Sequence, residues 1–130
     1  MAGGRDGTGN GASGWNVLDV VEMINLQTMN SCIVNVKLDQ PRTYHTGYGD
    51  LVCGGWDGTD NLNLPNLASC YNIVTGATIN LNSKGYLRTS WSTDDGLYLL
   101  GGFDGSAYRL TELITGDSTQ PGFTLKYNTT

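Results

Sequence analysis

The sequence predicts an all-β protein built from repeated units of four short strands, and three observations support this prediction. Nineteen of the 130 residues are glycine, roughly twice the usual share, which indicates many tight turns. A Gly-Gly-x-Asp-Gly motif occurs at residues 3–7, 54–58 and 101–105, with a period of about 50 residues. No long run has the apolar period of a helix, and the nearest candidate, 19–29, contains β-branched residues that favour a strand.

Each motif lies among strand-like runs that also repeat. Leu51–Cys53 ends at the second motif and Leu97–Leu100 ends at the third, and a polar strand begins near Arg42 or Arg88. Further runs follow the motifs and are joined by turns that contain a threonine. These runs are 18–26, 32–36, 68–74, 77–81, 108–114 and 123–127, and the threonines are Thr28, Thr75 and Thr115. Four short strands with tight turns form one blade of a β-propeller.

Glycine suits the exit from each apolar strand, because it accepts positive φ and allows backbones to approach closely. Asp-Gly is a strong signal for a tight turn. The bulky runs Leu51–Cys53 and Leu97–Leu100 are expected to pack one sheet on the next, since a single sheet cannot bury both of its faces.

This pattern resembles the kelch family, whose motif joins an apolar run to Gly-Gly and places an arginine before the first strand. The matching residues are Gly3, Gly4, Gly54, Gly55, Gly101, Gly102, Arg42 and Arg88. The tryptophan position of the family is not kept, since Cys32, Ile79 and Phe123 lie near it. The departures suggest a divergent branch, such as the cysteine-bearing extracellular kelch proteins.

The resemblance implies a kelch-type β-propeller fragment of about two and a half four-stranded blades. Residues 1–40 are expected to hold the end of a first blade, residues 41–84 a second blade and residues 85–130 a third. Whole propellers have about 4–8 blades, so we expect a fragment, a truncated product or one piece of an oligomeric ring. Open sheet edges and uncovered apolar faces predict self-association of the isolated chain.

The function implied by the resemblance is a non-catalytic, extracellular module that binds another protein or further blades of its own propeller. One alternative is the substrate-recognition piece of a cytoplasmic kelch/BTB-type ubiquitin-ligase adaptor, although no BTB-like helical segment is present. Another is a fragment of a kelch-like copper oxidase, which a single histidine disfavours. No cofactor, metal site or catalytic residue is expected.

Charge and hydropathy exclude other partners. The net charge is −5 and lysine and arginine form no cluster, so the sequence predicts no nucleic-acid partner. No apolar stretch approaches the length of a membrane span, and residues 1–7 lack the apolar core of a signal peptide. The Asp-Gly turns lack the ligand pattern of an EF-hand and are explained by turn chemistry.

Three cysteines carry the main chemical expectation. Cys53 precedes the second Gly-Gly, and Cys70 lies on the strand predicted to be its neighbour. Alignment on the turn threonines places Leu100 and Leu110 at the same positions one repeat later. We therefore predict a cross-strand disulfide between Cys53 and Cys70, the alternative being two buried thiols. Cys32 has no predicted partner within the chain: it is either a free thiol or pairs with a cysteine beyond the chain's ends, which the resemblance to the extracellular kelch proteins favours.

Several single residues are weighed against structural roles. His45 aligns with Trp91, which indicates packing rather than catalysis, and the repetition of Arg42 and Arg88 indicates bonds to the sheet backbone. The insert around 59–67 predicts a partner-contact loop, with a hydrophobic flap as the alternative. The loop residues are Trp56, Leu62, Leu64 and Leu67. Asn128 begins an N-glycosylation sequon.

Overall fold

A computed structural model describes residues 1–7, 16–59, 67–82, 85, 87–94, 96–103, 110–115 and 123–128, with backbone alone for residues 110 and 123–128. Every regular element in these ranges is a β-strand, and all strand pairs are antiparallel. None of the described residues forms a helix that would serve as a membrane span. The prediction of an all-β protein is confirmed.

The strands form small sheets that follow one another along the chain. A separate pair consists of β1 (Arg5–Asp6) and β2 (Asn16–Val17), which the sequence did not predict. The first sheet is the hairpin of β3 (Val20–Ile24) and β4 (Ser31–Lys37), to which Ala2 adds by a bridge to Val21. The second sheet contains β5 (Thr46–Tyr48), β6 (Leu51–Cys53), β7 (Ser69–Asn72) and β8 (Thr78–Asn80) in that order. The third contains β9 (Thr89–Thr93), β10 (Gly96–Leu100), β11 (Leu110–Thr115) and β12 (Phe123–Asn128), also in that order.

The Gly-Gly pairs make the same backbone hydrogen bonds in the first two repeats. The amide of the first glycine donates a hydrogen bond to the neighbouring strand of the same sheet. The amide of the second glycine donates to the segment that leads into the next sheet. The bonds are Gly3 to Val20, Gly54 to Ser69, Gly4 to Arg42 and Gly55 to Gly85, with nitrogen–oxygen distances of 2.7–3.0 Å. All four glycines have positive φ, between 62° and 106°, which favours glycine. Each pair therefore joins one sheet to the start of the next.

The turn after the next strand repeats as well. The Asn25 side-chain oxygen accepts the amides of Gln27 and Thr28, at 2.9 and 3.1 Å. The Asn72 oxygen accepts the equivalent amides of Val74 and Thr75, each at 2.9 Å. Such bonds let asparagine mimic a backbone turn. The predicted turn threonines Thr28 and Thr75 thus hold equivalent positions.

The second sheet is packed on both faces. The face turned toward the third sheet, here called its front face, carries Leu51, Cys53, Cys70 and Ile79, which join one buried cluster with Leu97, Leu99 and Ile114 of the third sheet. The opposite, back face carries Val52, Tyr71 and Ile73, which pack with Val21 and Val34 of the first sheet. The alternation of side chains along each strand separates these two sets. The predicted packing of one sheet on the next is therefore present.

The β9–β10 hairpin corrects one alignment made from the sequence. Strand β5 has 3 residues and β9 has 5, so the extra residues extend the hairpin away from its base. Tyr44 and Leu87 have positive φ of 54° and 56°, and each lies two residues before the first residue of its strand. Arg88 therefore stands in the place of His45, and its predicted equivalence with Arg42 was wrong. The predicted match of His45 with Trp91 was also wrong, because Trp91 lies farther along the extended hairpin and is 66% exposed.

The register of β11 corrects a second alignment. Cys53 lies opposite Cys70 as predicted, but Leu100 lies opposite Thr111 rather than Leu110. Strand β7 ends at Asn72, where the asparagine turn begins, whereas β11 stays paired as far as Thr115. Alignment on the turn threonine is therefore displaced by one residue, and that displacement moves side chains to the other face of the sheet.

The second glycine of the first pair, Gly4, and that of the second pair, Gly55, provide a matched test of whether close backbone approach requires glycine. Gly4 and Gly55 have φ of 106° and 103°, but a Cβ at Gly4 would meet no atom of the described residues within 4 Å, whereas one at Gly55 would lie 2.8 Å from the Thr43 carbonyl oxygen. We expect Gly4→Ala to cost only backbone strain of about 1–3 kcal/mol. Gly55→Ala should cost roughly 1–3 kcal/mol more from the clash. Urea unfolding of both variants measures the difference, and equal losses would contradict a role for close approach.

Candidate interaction surface

Arg42 fastens the second sheet at the exit of β6. Its side chain is fully buried, and its Nη1 donates to the carbonyl oxygens of Gly54 and Ser69 at 3.0 and 2.9 Å. Its Nη2 donates to the Ser69 hydroxyl at 2.8 Å and to the Asp39 carboxylate at 2.9 Å, and Nε also donates to Asp39. The guanidinium has five N–H donors, and these bonds engage all of them. The predicted bonding of Arg42 to the sheet backbone is confirmed.

A disulfide joins Cys53 to Cys70, which are adjacent in sequence to the two residues that Arg42 contacts, Gly54 and Ser69. The two residues lie directly opposite on β6 and β7, with Cα atoms 3.9 Å apart. The Gly54 amide bonds to the Ser69 carbonyl next to them, so the cysteines occupy a non-hydrogen-bonded position, where side chains approach most closely. Both cysteines are buried against the third sheet. The bond and Arg42 therefore hold the same two strands at adjacent positions.

Arg88 plays a related part in the third sheet with different partners. Its Nη2 donates to the Leu99 carbonyl at 3.3 Å, and its Nη1 lies 3.7 Å from the Glu112 carboxylate. Both side chains of this ion pair are buried. The second Glu112 oxygen accepts the Asn82 amide at 3.3 Å. This pair thus connects the third sheet to the end of the second, and the predicted backbone bonding of Arg88 is confirmed.

His45 lies between the first two Gly-Gly pairs. A Cβ at Gly3 or at Gly55 would meet the His45 side chain at 3.1 Å. Burial and the positive charge of Arg42 lower the pKa of His45 below 6.5, although the carbonyls of Arg42 and Ala2 act in the opposite direction. Its buried Nδ1 has no hydrogen-bond partner within the described residues. His45 therefore lies in the packing between repeats and is held in its neutral form.

Two of the four residues named for the predicted partner-contact loop, Trp56 and Leu67, lie in the described ranges. Leu67 is buried, and its amide donates to the Gly55 carbonyl at 2.9 Å. Trp56 is half-buried and exchanges two backbone hydrogen bonds with Thr43, of 2.8 and 2.9 Å. Leu62 and Leu64 lie outside the described residues. The two described residues of the loop thus contribute to packing.

Half of the large apolar side chains that are exposed in the described ranges lie on the β3–β4 hairpin, a surface that the sequence did not identify. Counted from its turn, Cys32 matches Ile79, but the hairpin extends farther than β7–β8 and has an irregular register between Val20 and Glu22. At its base, Val36 takes the place of buried Ile79, and Cys32 is exposed. The exposed apolar residues of the hairpin are Met23, Ile24, Leu26, Met29, Ile33 and Val36.

An apolar cleft of about 730 Å³ separates this hairpin from the second sheet. Met23, Val34 and Val36 line one wall, and Ile73 and Val74 line the other. The sheets meet at Val21 and Val52, and they diverge beyond that contact because the hairpin projects past its neighbour. The volume lies within the range of about 300–1,000 Å³ that is typical of ligand pockets. The hairpin and cleft form the candidate interaction surface.

Comparisons with known proteins supply no family. No protein-family model matches the chain, and no curated protein shows significant sequence similarity to it.

Other predicted sites are placed only in part. Asn128 ends β12, but its side chain lies outside the described residues, as do those of the sequon's two threonines. In the described ranges, no group of three or more His, Cys, Asp or Glu side chains is arranged to hold a metal ion. Gly101 has a positive φ of 61° and Gly102 one of 122°, as in the earlier Gly-Gly pairs.

We expect the disulfide to stabilise the second sheet through the loop it closes. In Cys53→Leu/Cys70→Thr, the residues of the third sheet replace the pair, so packing is retained but the covalent link is lost. Under oxidising conditions the variant should lose ~3 kcal/mol of unfolding free energy in the chain-entropy model. Guanidinium unfolding with and without reductant measures this loss, which should nearly vanish when the parent is reduced. Cys32→Ser is the control, and alkylation of both Cys53 and Cys70 without reductant would rule out the bond.

Removal of the Arg42 side chain should be strongly destabilising. Arg42→Ala leaves Asp39 and the Gly54 and Ser69 carbonyls without their buried partner, and we expect a loss of about 3–5 kcal/mol. Lys37→Ala is the control, because Lys37 pairs with Asp19 at 3.1 Å on the surface and is 70% exposed. It should change stability by about 0–1 kcal/mol. Similar losses in both variants would show that Arg42 does not fasten the sheet.

The lowered pKa of His45 predicts a loss of stability in mild acid. As pH falls through 6.5, the unfolded chain gains a proton that the folded chain resists. The free energy of unfolding should therefore be highest above this pH and should decrease as the pH falls below it. Urea unfolding between about pH 7.5 and 5.5 tests the sign. His45→Gln should flatten this dependence, and a variant with the same slope as the parent would refute the assignment.

Proposed function

We propose that the chain is a kelch-type β-propeller segment that acts as a non-catalytic protein-binding module. The observation that carries the proposal is the repeated Gly-Gly hydrogen bonding, in which one amide pairs with a strand of the same sheet and the next pairs with the segment that enters the following sheet. The front-to-back packing of three consecutive sheets, of which the second and third are four-stranded, supports it, because propellers are built by radial repetition of such sheets.

The polar side chains most suited to catalysis are engaged in holding the sheets together, which favours binding over catalysis. Arg42 and Arg88 bond to the sheets themselves, and His45 lies packed between two Gly-Gly pairs. By contrast, the exposed residues of the β3–β4 hairpin include six large apolar side chains, and the hairpin borders an apolar cleft. Apolar patches of this kind on a folded surface are typical of protein–protein contact sites.

The disulfide favours an extracellular location for this module. Disulfides persist in oxidising compartments and are rare in cytosolic proteins. The Cys53–Cys70 bond is buried between the second and third sheets, so it forms part of the packing rather than an exposed redox pair.

Binding to defined extracellular proteins tests the proposal. The oxidised chain is immobilised and presented with a panel of purified secreted proteins and cell-surface ectodomains. We expect at least one to bind with a Kd of about 1 μM or tighter, and to show no binding to the reduced and denatured chain. A folded chain that binds none of the panel would count against a role in protein binding.

A further inference from the structure

We infer that the cleft between the first and second sheets binds an extended segment of the partner protein that carries apolar side chains and a basic one. This inference rests on the proposed protein-binding function and names the place and the chemistry of the contact. It assigns the contact to the hairpin side of the molecule rather than to the loop around Trp56, where Leu67 is buried and Trp56 is half-buried.

The cleft continues an interface that already exists inside the molecule. At its inner end, Val21 of the first sheet packs with Val52 of the second. An apolar side chain that enters between Val34 and Ile73 would extend this same cluster and would be shielded from water on both sides. The free energy gained is the usual one for burying apolar surface.

Bare backbone along one wall suits an extended chain. Gly47 of β5 and Gly49 in the turn that follows line the cleft, and a glycine within a strand, as at Gly47, is typical of places where another backbone approaches closely. In the third sheet, the position of Gly47 is taken by Ser90, whose hydroxyl bonds to Thr46 and to the Gly47 carbonyl at 2.8 and 3.2 Å. These hydrogen bonds close the interface between the second and third sheets. At the equivalent place between the first and second sheets, the cleft is open.

Flexible and exposed side chains complete the opposite wall. Met23 is 61% exposed and Leu26 82% exposed, and both line the cleft. Methionine adapts its shape to irregular apolar surfaces and is frequent at binding sites that accept varied partners. The hairpin would therefore close over an apolar segment without a change in the sheets beneath it.

Charge favours a basic residue in the partner segment. Among the described residues that line the cleft, Glu22 is the only one with an acidic or basic side chain apart from His45. Asp50 is exposed and lies in the turn between the lining residues Gly49 and Leu51, although its own side chain belongs to a separate depression between the second and third sheets. The N-terminal amine donates to the Glu22 carbonyl. The N-terminal ammonium and the Glu22 carboxylate give the cleft one charge of each sign, so the preference for a basic segment comes from the whole chain, whose net charge of −5 attracts positively charged partners.

Selection from an array of random nine-residue peptides tests this inference. We expect peptides that combine apolar residues with lysine or arginine to be enriched on the oxidised chain. Val74→Arg fills and charges the cleft and should weaken their binding by at least tenfold. Ile33→Arg is the matched control, because Ile33 is 72% exposed and Val74 71%, but Ile33 is not among the lining residues. It should change affinity less than twofold, and Glu22→Gln should weaken basic peptides and reduce the effect of salt.

Other results would overturn the inference in distinguishable ways. Peptide binding that Val74→Arg leaves intact would place the contact elsewhere, while the proposed binding function stands. Binding of an ectodomain without enrichment of any peptide would exclude an extended segment. Self-association in sedimentation velocity that Val74→Arg abolishes, again without enriched peptides, would show that a second copy occupies the cleft. If neither peptides nor ectodomains bind, the proposed function fails as well.

Discussion

The close backbone contacts at the Gly-Gly pairs link the sheets to one another. At Gly54 and Gly55, consecutive amides pair with Ser69 of the same sheet and with Gly85, which precedes the next sheet. A Cβ at Gly54 would lie 2.7 Å from the Gly85 carbonyl oxygen, so only glycine allows the two segments to approach this closely. The orientation of each sheet relative to its neighbour therefore depends on these residues.

The side-chain interactions that stabilise the Gly-Gly contacts differ between repeats. In the second sheet, the disulfide and Arg42 hold the same strands at adjacent positions, with Asp39 balancing the buried charge. In the third sheet, the Arg88–Glu112 pair lies buried and reaches back to Asn82. A buried charge is tolerated only when it is paired and hydrogen-bonded, and both arginines meet this condition. The same backbone arrangement is thus stabilised by two different sets of side chains.

Packing on both faces of the second sheet decides which surface remains for binding. Its front and back faces are covered by the third and first sheets. The β3–β4 hairpin is longer than β7–β8, so its outer part has no neighbour to cover it. Met23 and Leu26 are exposed for that reason. The candidate surface is therefore a consequence of unequal hairpin length between otherwise similar repeats.

The sequence by itself determined the all-β class, the main strands, the glycine exits and the Cys53–Cys70 pair, because alternation, turn chemistry and the repeat are local properties of the chain. Only the tertiary structure decided that Arg88 matches His45 and that Leu100 lies opposite Thr111. Register depends on where each turn closes, and a repeat with hairpins of unequal length does not reveal this. The tertiary structure also decided that the β3–β4 hairpin and the cleft beside it are exposed, since exposure depends on how far the neighbouring sheet extends.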